Sequence, residues 1–239
     1  MGLRTMIDHL PPPIVHSLRR AHRAVVPVRW YLARLVSFLL QSISDRRRRA
    51  RAIRLVRLVW GNPGYSASAE LCEVVDVTVA PTSSVVELGS GLTTLLLRRR
   101  VGPRGSVLTI EHDRAWARAL NAALPPGPRA SLSVAALAEV SPGVHWYGIS
   151  PEVLKEADVI ICDGPPSHDT PGARRGLLWA LQATTREVTV IIDDVDRPEE
   201  QAMLDELLSM FGATMTTRVT SAAGDVAVVD VPAREGSVR

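Results

Sequence analysis

Lysine is almost missing from this chain: Lys155 is the only one among 28 basic residues. Arginine in its place is what a GC-rich genome produces, so the total arginine count is a weak guide to partners. Cysteine is equally sparse. Cys72 and Cys162 sit in apolar runs with no CxxC spacing and no Cys/His cluster. That argues against a structural zinc site and a disulfide framework, and for buried free thiols in a reducing compartment. Long hydrophobic runs are absent too. The longest, Leu35 to Leu40, is far short of the ~20 residues a bilayer span needs. The start shows no basic, apolar and small-residue succession of a secretory signal, and Asp8 with Pro11-Pro12-Pro13 argues against an amphipathic transit peptide. A bacterial cytoplasmic protein is expected.

The 239 residues suit one sizeable domain with an appendage, and 46% hydrophobic content excludes a disordered chain. The net charge of +3 hides an asymmetry. Residues 1–60 hold thirteen arginines against Asp8 and Asp45, a balance of +11, and the remainder carries −8. The pattern changes at Tyr65, so residues 1–64 are assigned to a basic, amphipathic helical extension and 65–239 to the main domain. In the extension, residues 1–27 are irregular. Residues 29–44 read as a helix through Leu32, Leu35, Val36, Leu39, Leu40 and Ile43, and a second helix runs from about Asp45 to Trp60. Gly61-Asn62-Pro63-Gly64 ends it.

Beyond a helix over Ala67–Val79, short apolar runs alternate with helical periods. Strands are predicted at Ser84–Leu88, Ser106–Glu111, Ala130–Val134, Asp158–Asp163, Val188–Asp193, Thr214–Thr220 and Val226–Val231. Helices are predicted near Thr93–Arg100, Arg114–Ala123, Gly172–Thr184 and Pro198–Phe211. This alternation specifies an α/β fold with a mostly parallel, doubly wound seven-stranded sheet. Only Ser221 to Asp225 separates the last two strands, which must form an antiparallel hairpin.

The strongest chemical signal is Val85-Val86-Glu87-Leu88-Gly89-Ser90-Gly91-Leu92-Thr93-Thr94. An apolar strand ends near an acid, turns through Gly-x-Gly and enters a helix. Glycines there let backbone approach a ligand, and the helix start offers free N–H donors. The third glycine of the dinucleotide fingerprint is replaced by Thr94. Val107 to Glu111 is the next strand, and its terminal acid falls twenty residues after Gly91. A carboxylate there accepts the ribose hydroxyls of an adenosine ligand. The competing reading of Glu111 is a solvated residue ahead of a helix capped by Asp113.

Glu87-Leu88-Gly89-Ser90-Gly91, Ile110-Glu111-His112-Asp113, Asp163-Gly164-Pro165-Pro166 and Ile192-Asp193-Asp194 together resemble the successive motifs of class I S-adenosylmethionine-dependent methyltransferases. The resemblance covers about Tyr65 to Val231. It is nearest to bacterial small-molecule O-methyltransferases with DGPP and IDD turns. It implies a Rossmann-like fold, S-adenosylmethionine as cofactor, and a hydroxyl of a small-molecule or sugar-like acceptor. By resemblance, Glu87, Gly89 and Gly91 surround the methionine part, Glu111 holds the ribose, and Ala136 and Leu137 flank the adenine; Ser90, Thr94 and Asp163 are counted with the cofactor-binding residues, and His112 is read as packing beside the adenosine. Tyr65 and Ser66 belong to the stretch that closes over the cofactor.

Asp163, Asp193 and Asp194 end two adjacent predicted strands, where open α/β sheets bind ligands. In one reading they hold Mg²⁺, which orients the acceptor hydroxyl and lowers its pKa. This resembles the Asp, Asp, Asn triad of catechol-type O-methyltransferases, although Asp194 stands in place of Asn and Gly-Pro-Pro follows Asp163. In the other, no metal is present and Asp163 or His168 is the general base. In the third, the acids only cap turns. Trp146-Tyr147 either lines an acceptor pocket or packs in the core.

The basic N-terminus admits a helical cap packed on the main domain or on a second subunit of a homodimer, peripheral contact with the inner face of an anionic membrane, or nucleic-acid binding. The last is disfavoured, because no aromatic follows Pro165-Pro166 to stack a flipped base. Two other functions fit the fold class: a nicotinamide-dependent oxidoreductase, and a non-catalytic membrane or protein docking module.

Overall fold

The computed structural model describes residues 26, 28–61, 66–127, 129–166, 170 and 172–234. Tyr65 and Ser167-His168-Asp169, singled out above, lie outside the described residues, as do residues 1–25. The sheet has seven strands: β1 (Ser84–Leu88), β2 (Ser106–Glu111), β3 (Ala130–Val134), β6 (Val159–Cys162), β7 (Val188–Ile192), β8 (Thr214–Val219) and β9 (Val226–Val231). Their order is β3-β2-β1-β6-β7-β9-β8, parallel except that β9 runs antiparallel to both neighbours. The doubly wound sheet and the terminal hairpin are as the sequence predicts. The fold is Rossmann-like.

Period-two alternation assigns each strand residue to one of two cores. Val85, Val107, Val159, Ile161 and Ile191 face one layer. That layer holds α1 (residues 28–36), α2 (Arg46–Trp60), α3 (Ala69–Thr78), α4 (Leu92–Arg100) and α5 (Arg114–Ala123). Val86, Leu88, Ile160, Cys162, Val190 and Ile192 face the other, built from α6 (Gly176–Leu181), α7 (Pro198–Phe211) and a hairpin of β4 (Leu137–Ser141) and β5 (Val144–Tyr147). The N-terminal helices thus share a continuous core with the sheet through Trp30, Leu40, Ile53, Val56 and Trp60. Both cysteines are buried and free.

Three elements differ from expectation. The helix predicted over 29–44 is α-helical only to residue 36 and then tightens into a 3₁₀ turn at Ser37–Ser42. There the buried Ser37 hydroxyl donates to the Arg34 carbonyl at 2.6 Å, a local bond that competes with the helical ladder. The helix predicted near Gly172–Thr184 shrinks to Gly176–Leu181 behind a 3₁₀ turn at Ala173–Arg175, and Gly172, with a left-handed φ of 71°, stands outside it as the cap of that turn. The β4–β5 hairpin was not expected.

Register aligns the carboxyl ends of the central strands. Leu88 pairs with Ile110 on one side and Cys162 on the other, and Cys162 pairs with Ile192. The residues that follow, Gly89, Glu111, Asp163 and Asp193, therefore emerge along one edge. The chain reverses direction of winding at β1, so a crevice opens there.

Candidate functional site

The crevice is a cavity of about 650 Å³. Its floor begins at the glycine turn. Gly89 adopts φ 90°, and a Cβ on it would meet the Gly164 nitrogen at 3.1 Å, so the turns after β1 and β6 touch only because both positions are glycine. Glu111 fastens the turn. Its Oε2 accepts from the Ser90 backbone N–H at 3.1 Å and the Ser90 hydroxyl at 2.6 Å, and its Oε1 accepts from the N–H groups of His112 and Asp113 at 2.8 and 2.9 Å. All four acceptor directions of the carboxylate are in use. The Ser90 hydroxyl is the one donor free to rotate away, so a ligand diol reaching Glu111 replaces that bond. Asp113 meanwhile caps α5 through the N–H groups of Ala115 and Trp116. The cap weighed for this segment is Asp113, and Glu111 is buried where the competing reading had it solvated. Trp116 Nε1 donates to the Ser90 carbonyl at 3.0 Å and locks the turn from the other side.

Among the sequence-selected residues, Ser66, Gly89, Ser90, Glu111, His112, Asp163, Asp193 and Asp194 line the cavity. Glu87 does not. It lies fully buried beneath the turn, where the hydroxyls of Thr94 and Thr109 each donate to Oε2 at 2.7 Å, and burial pushes its carboxyl up to about 7. Thr94 acts on the turn as well, its Oγ1 accepting from the Gly91 N–H at 2.9 Å. Glu87 and Thr94 shape the seat from below. Gly91, Ala136 and Leu137 are also not among the wall residues, and Leu137 opens β4 opposite Tyr147.

The acids converge as expected: Asp163, Asp193 and Asp194 present oxygens within 4.8 Å of one another. Sequence reasoning missed what holds them. Arg174, 4% exposed, donates to the carbonyls of Asp193 (2.9 Å), Asp163 (3.1 Å) and Pro165 (3.2 Å) and to Asp194 Oδ2 (3.3 Å). Its Nε lies 3.7 Å from buried Glu200, and Arg197 pairs with Asp194 Oδ1 at 2.9 Å. Four carboxyls therefore share two arginines. Burial pushes Asp163 up to about 6, with Arg174 opposing and Asp194 reinforcing the shift. Asp193 and Asp194 are raised as well, chiefly by burial.

This arrangement also tests the metal reading. Both Asp194 oxygens already face an arginine, so a divalent ion ligated by all three acids would share them with those cations and stand close to the Arg174 guanidinium. The arginines already on Asp194 therefore compete with any ion for this three-carboxylate set.

Two further wall residues come from outside the motifs. Arg57 of α2 lines the cavity and donates through Nε to the Ala67 carbonyl at 2.9 Å. Tyr147, from β5, is fully buried and lines it too, while its neighbour Trp146 packs in the core against Trp179.

No protein-family model and no curated protein matches the sequence. Solved structures do match. The O-methyltransferase TomG from Streptomyces achromogenes, in complex with S-adenosylmethionine, is 19% identical over 71% of this chain and 83% of its own, with a TM-score of 0.53. An O-methyltransferase from Bacillus cereus in complex with S-adenosylhomocysteine is 15% identical over 76% and 90%, at 0.54. A Pyrococcus horikoshii protein assigned as an RNA methyltransferase is 14% identical over 82% and 99%, at 0.52. At these identities the likeness is one of fold.

Proposed function

We propose that this protein binds S-adenosylmethionine in the cavity and transfers its methyl group to a hydroxyl of a small-molecule or sugar-like acceptor. The observation that carries the reading is the junction of a ribose seat and an acid cluster in one crevice: Ser90 and Glu111 on one wall, Asp163 and Asp193 on the other. Thr94 stands where the dinucleotide fingerprint has its third glycine, which disfavours the oxidoreductase alternative. A pure docking module has no need of a pinned glycine turn.

When bound, the sulfonium cofactor supplies an activated methyl group, so the protein's task is alignment, exclusion of water and acceptance of one proton. Glu111 and the Ser90 turn fix the nucleoside. Asp163, at the mouth between them and Asp193, takes the acceptor's hydroxyl proton as general base. His168 remains a second candidate for that role. The surplus of carboxyls favours a cationic ligand.

Two expectations follow from Asp163. Asp163→Ala abolishes transfer while titration with S-adenosylhomocysteine still gives binding; surviving activity overturns the assignment. A base works unprotonated, so kcat/KM rises with pH through about 6, the value set by burial against Arg174, Arg197 and the neighbouring Asp193 and Asp194, and is flat above it. Neither Mg²⁺ nor a chelator changes the rate. Stimulation by Mg²⁺ would restore the metal reading.

The N-terminal helices support a location for this chemistry. α1 and the 3₁₀ turn after it bury Trp30, Ala33 and Leu40 but expose Tyr31, Leu32, Leu35 and Leu39. α2 exposes Arg46, Arg47, Arg48 and Arg51 beside Leu55 and Leu58. Apolar residues flanked by arginines suit peripheral contact with an anionic leaflet, and among the described residues no helix is long and apolar enough to cross a membrane. The proposal is a cytoplasmic enzyme held at the inner face, close to a lipid-linked acceptor. The protein is expected to sediment with phosphatidylglycerol vesicles but not phosphatidylcholine vesicles, and to lose this with Leu35→Glu/Leu39→Glu. A dimer in light scattering that the same pair dissolves, with no vesicle binding, would make the face a subunit interface instead.

A further inference from the structure

Tyr147 presents a hydroxyl in an unusual position. The residue is fully buried, yet it forms part of the cavity wall, and its oxygen has no hydrogen-bond partner among the described residues. A Cβ placed on Gly164 would sit 2.7 Å from that oxygen, so the hydroxyl rests against the turn that follows β6. On its other side the ring meets His112 edge-on, with centroids 6.5 Å apart, and His112 directly follows the ribose acid Glu111. The hairpin that delivers Tyr147 pairs it with Leu137 and ties Gly148 to the Ala136 carbonyl at 2.8 Å. The hydroxyl is thereby fixed between the Glu111-His112 wall and the Asp163-Gly164 wall. A second wall residue, Ser66, also has a buried hydroxyl without a partner.

Buried hydroxyls in folded proteins are almost always paired, because leaving one unpaired forfeits its hydration. Phenylalanine would fill the same space without that penalty. Tyr147 lines the cavity, so a ligand seated there is the candidate for the missing partner.

We propose that the Tyr147 hydroxyl is a cofactor-binding group that hydrogen-bonds the nucleoside part of S-adenosylmethionine, an inference that rests on the cofactor reading above. Burial holds the phenol well above its ordinary pKa, so it stays neutral and can both donate and accept.

The test is Tyr147→Phe, read by calorimetric titration with S-adenosylhomocysteine and with 5′-methylthioadenosine, which lacks the amino-acid end, together with the melting temperature of the ligand-free protein. The expected result is that both ligands weaken by the same factor, about tenfold. The ligand-free variant is expected to melt at the same temperature as the parent protein or about 2–4 °C higher, since an unpaired buried hydroxyl is gone. Unchanged affinity for both ligands overturns the proposal. So does weakening of S-adenosylhomocysteine alone, which would move the contact to the amino-acid end. A fall in ligand-free stability that accompanies the loss of binding would make Tyr147 a structural residue. If the unmodified protein binds neither ligand, the cofactor reading itself fails, and this contact with it.

Discussion

Arg174→Met is expected to lower the melting temperature by about 10 °C at neutral pH, from a loss of about 3–5 kcal/mol typical when one partner of a buried ion pair is removed. Arg174 gathers three backbone carbonyls and Asp194 into one buried node, with Asp163 and Glu200 also within ion-pair range. Methionine fills much of the volume but leaves those carbonyls without their donor and the carboxyls without their nearest cation. The pH dependence separates the two contributions. A carboxyl whose pKa is raised on folding binds its proton more tightly in the native state, so the native state gives up stability as pH rises from the ordinary value toward the raised one. For Asp163 that window runs from about 4 to about 6, and loss of Arg174 extends it upward. The deficit of the variant should therefore be largest above pH 7 and shrink toward pH 5. A deficit equal at both ends would mean that the lost carbonyl bonds, not the unpaired acids, destabilise the variant. Thermal melts across that range decide it.

Glu111→Gln is expected to weaken S-adenosylhomocysteine binding by about 100-fold, because bonds to a charged acceptor contribute about 1.5–3 kcal/mol each. The side chain keeps its shape but offers one acceptor atom in place of two. With the amide oxygen turned to the N–H groups of His112 and Asp113, its NH₂ faces the Ser90 N–H, donor against donor. The ribose diol then meets no carboxylate, and the glycine turn loses an anchor. Titration calorimetry reads the loss. Binding equal to that of the unmodified protein would place the ribose elsewhere.

Much of the sheet could be read directly, since four strands begin and end where the apolar runs do, and α5 and α7 match residue for residue. Parallel central strands are buried on both faces, so an uninterrupted Val/Ile/Leu run with turn residues at its ends is a strong local signal. The motif residues followed, because strand register alone carries Gly89, Glu111, Asp163 and Asp193 to one edge. What escaped depends on tertiary contact. Arg174 is one arginine among many in sequence, and only the fold of the Gly164-Pro165-Pro166 turn brings carbonyls to it. The β4–β5 hairpin is short and only its end at Trp146-Tyr147 is fully buried, with weak alternation. Its Pro142-Gly143 turn, where Gly143 has φ 73°, was the one legible clue. With the hairpin unseen, Tyr147 had no assigned direction, and its neighbour Trp146 was equally ambiguous.

The three tryptophans at the rear of the site carry a consequence of their own. Trp30 of α1 stacks on Trp60 of α2 at 5.1 Å and meets Trp116 edge-on at 4.9 Å, and Trp116 grips the Ser90 carbonyl. The outer helices and the proposed nucleoside seat are thus joined by one chain of indoles. Thermodynamic linkage makes such a joint reciprocal: if a surface that grips α1 and α2 changes cofactor affinity by some factor, the cofactor changes affinity for that surface by the same factor. Intrinsic tryptophan emission, from rings placed at the joint itself, is the natural gauge of that exchange.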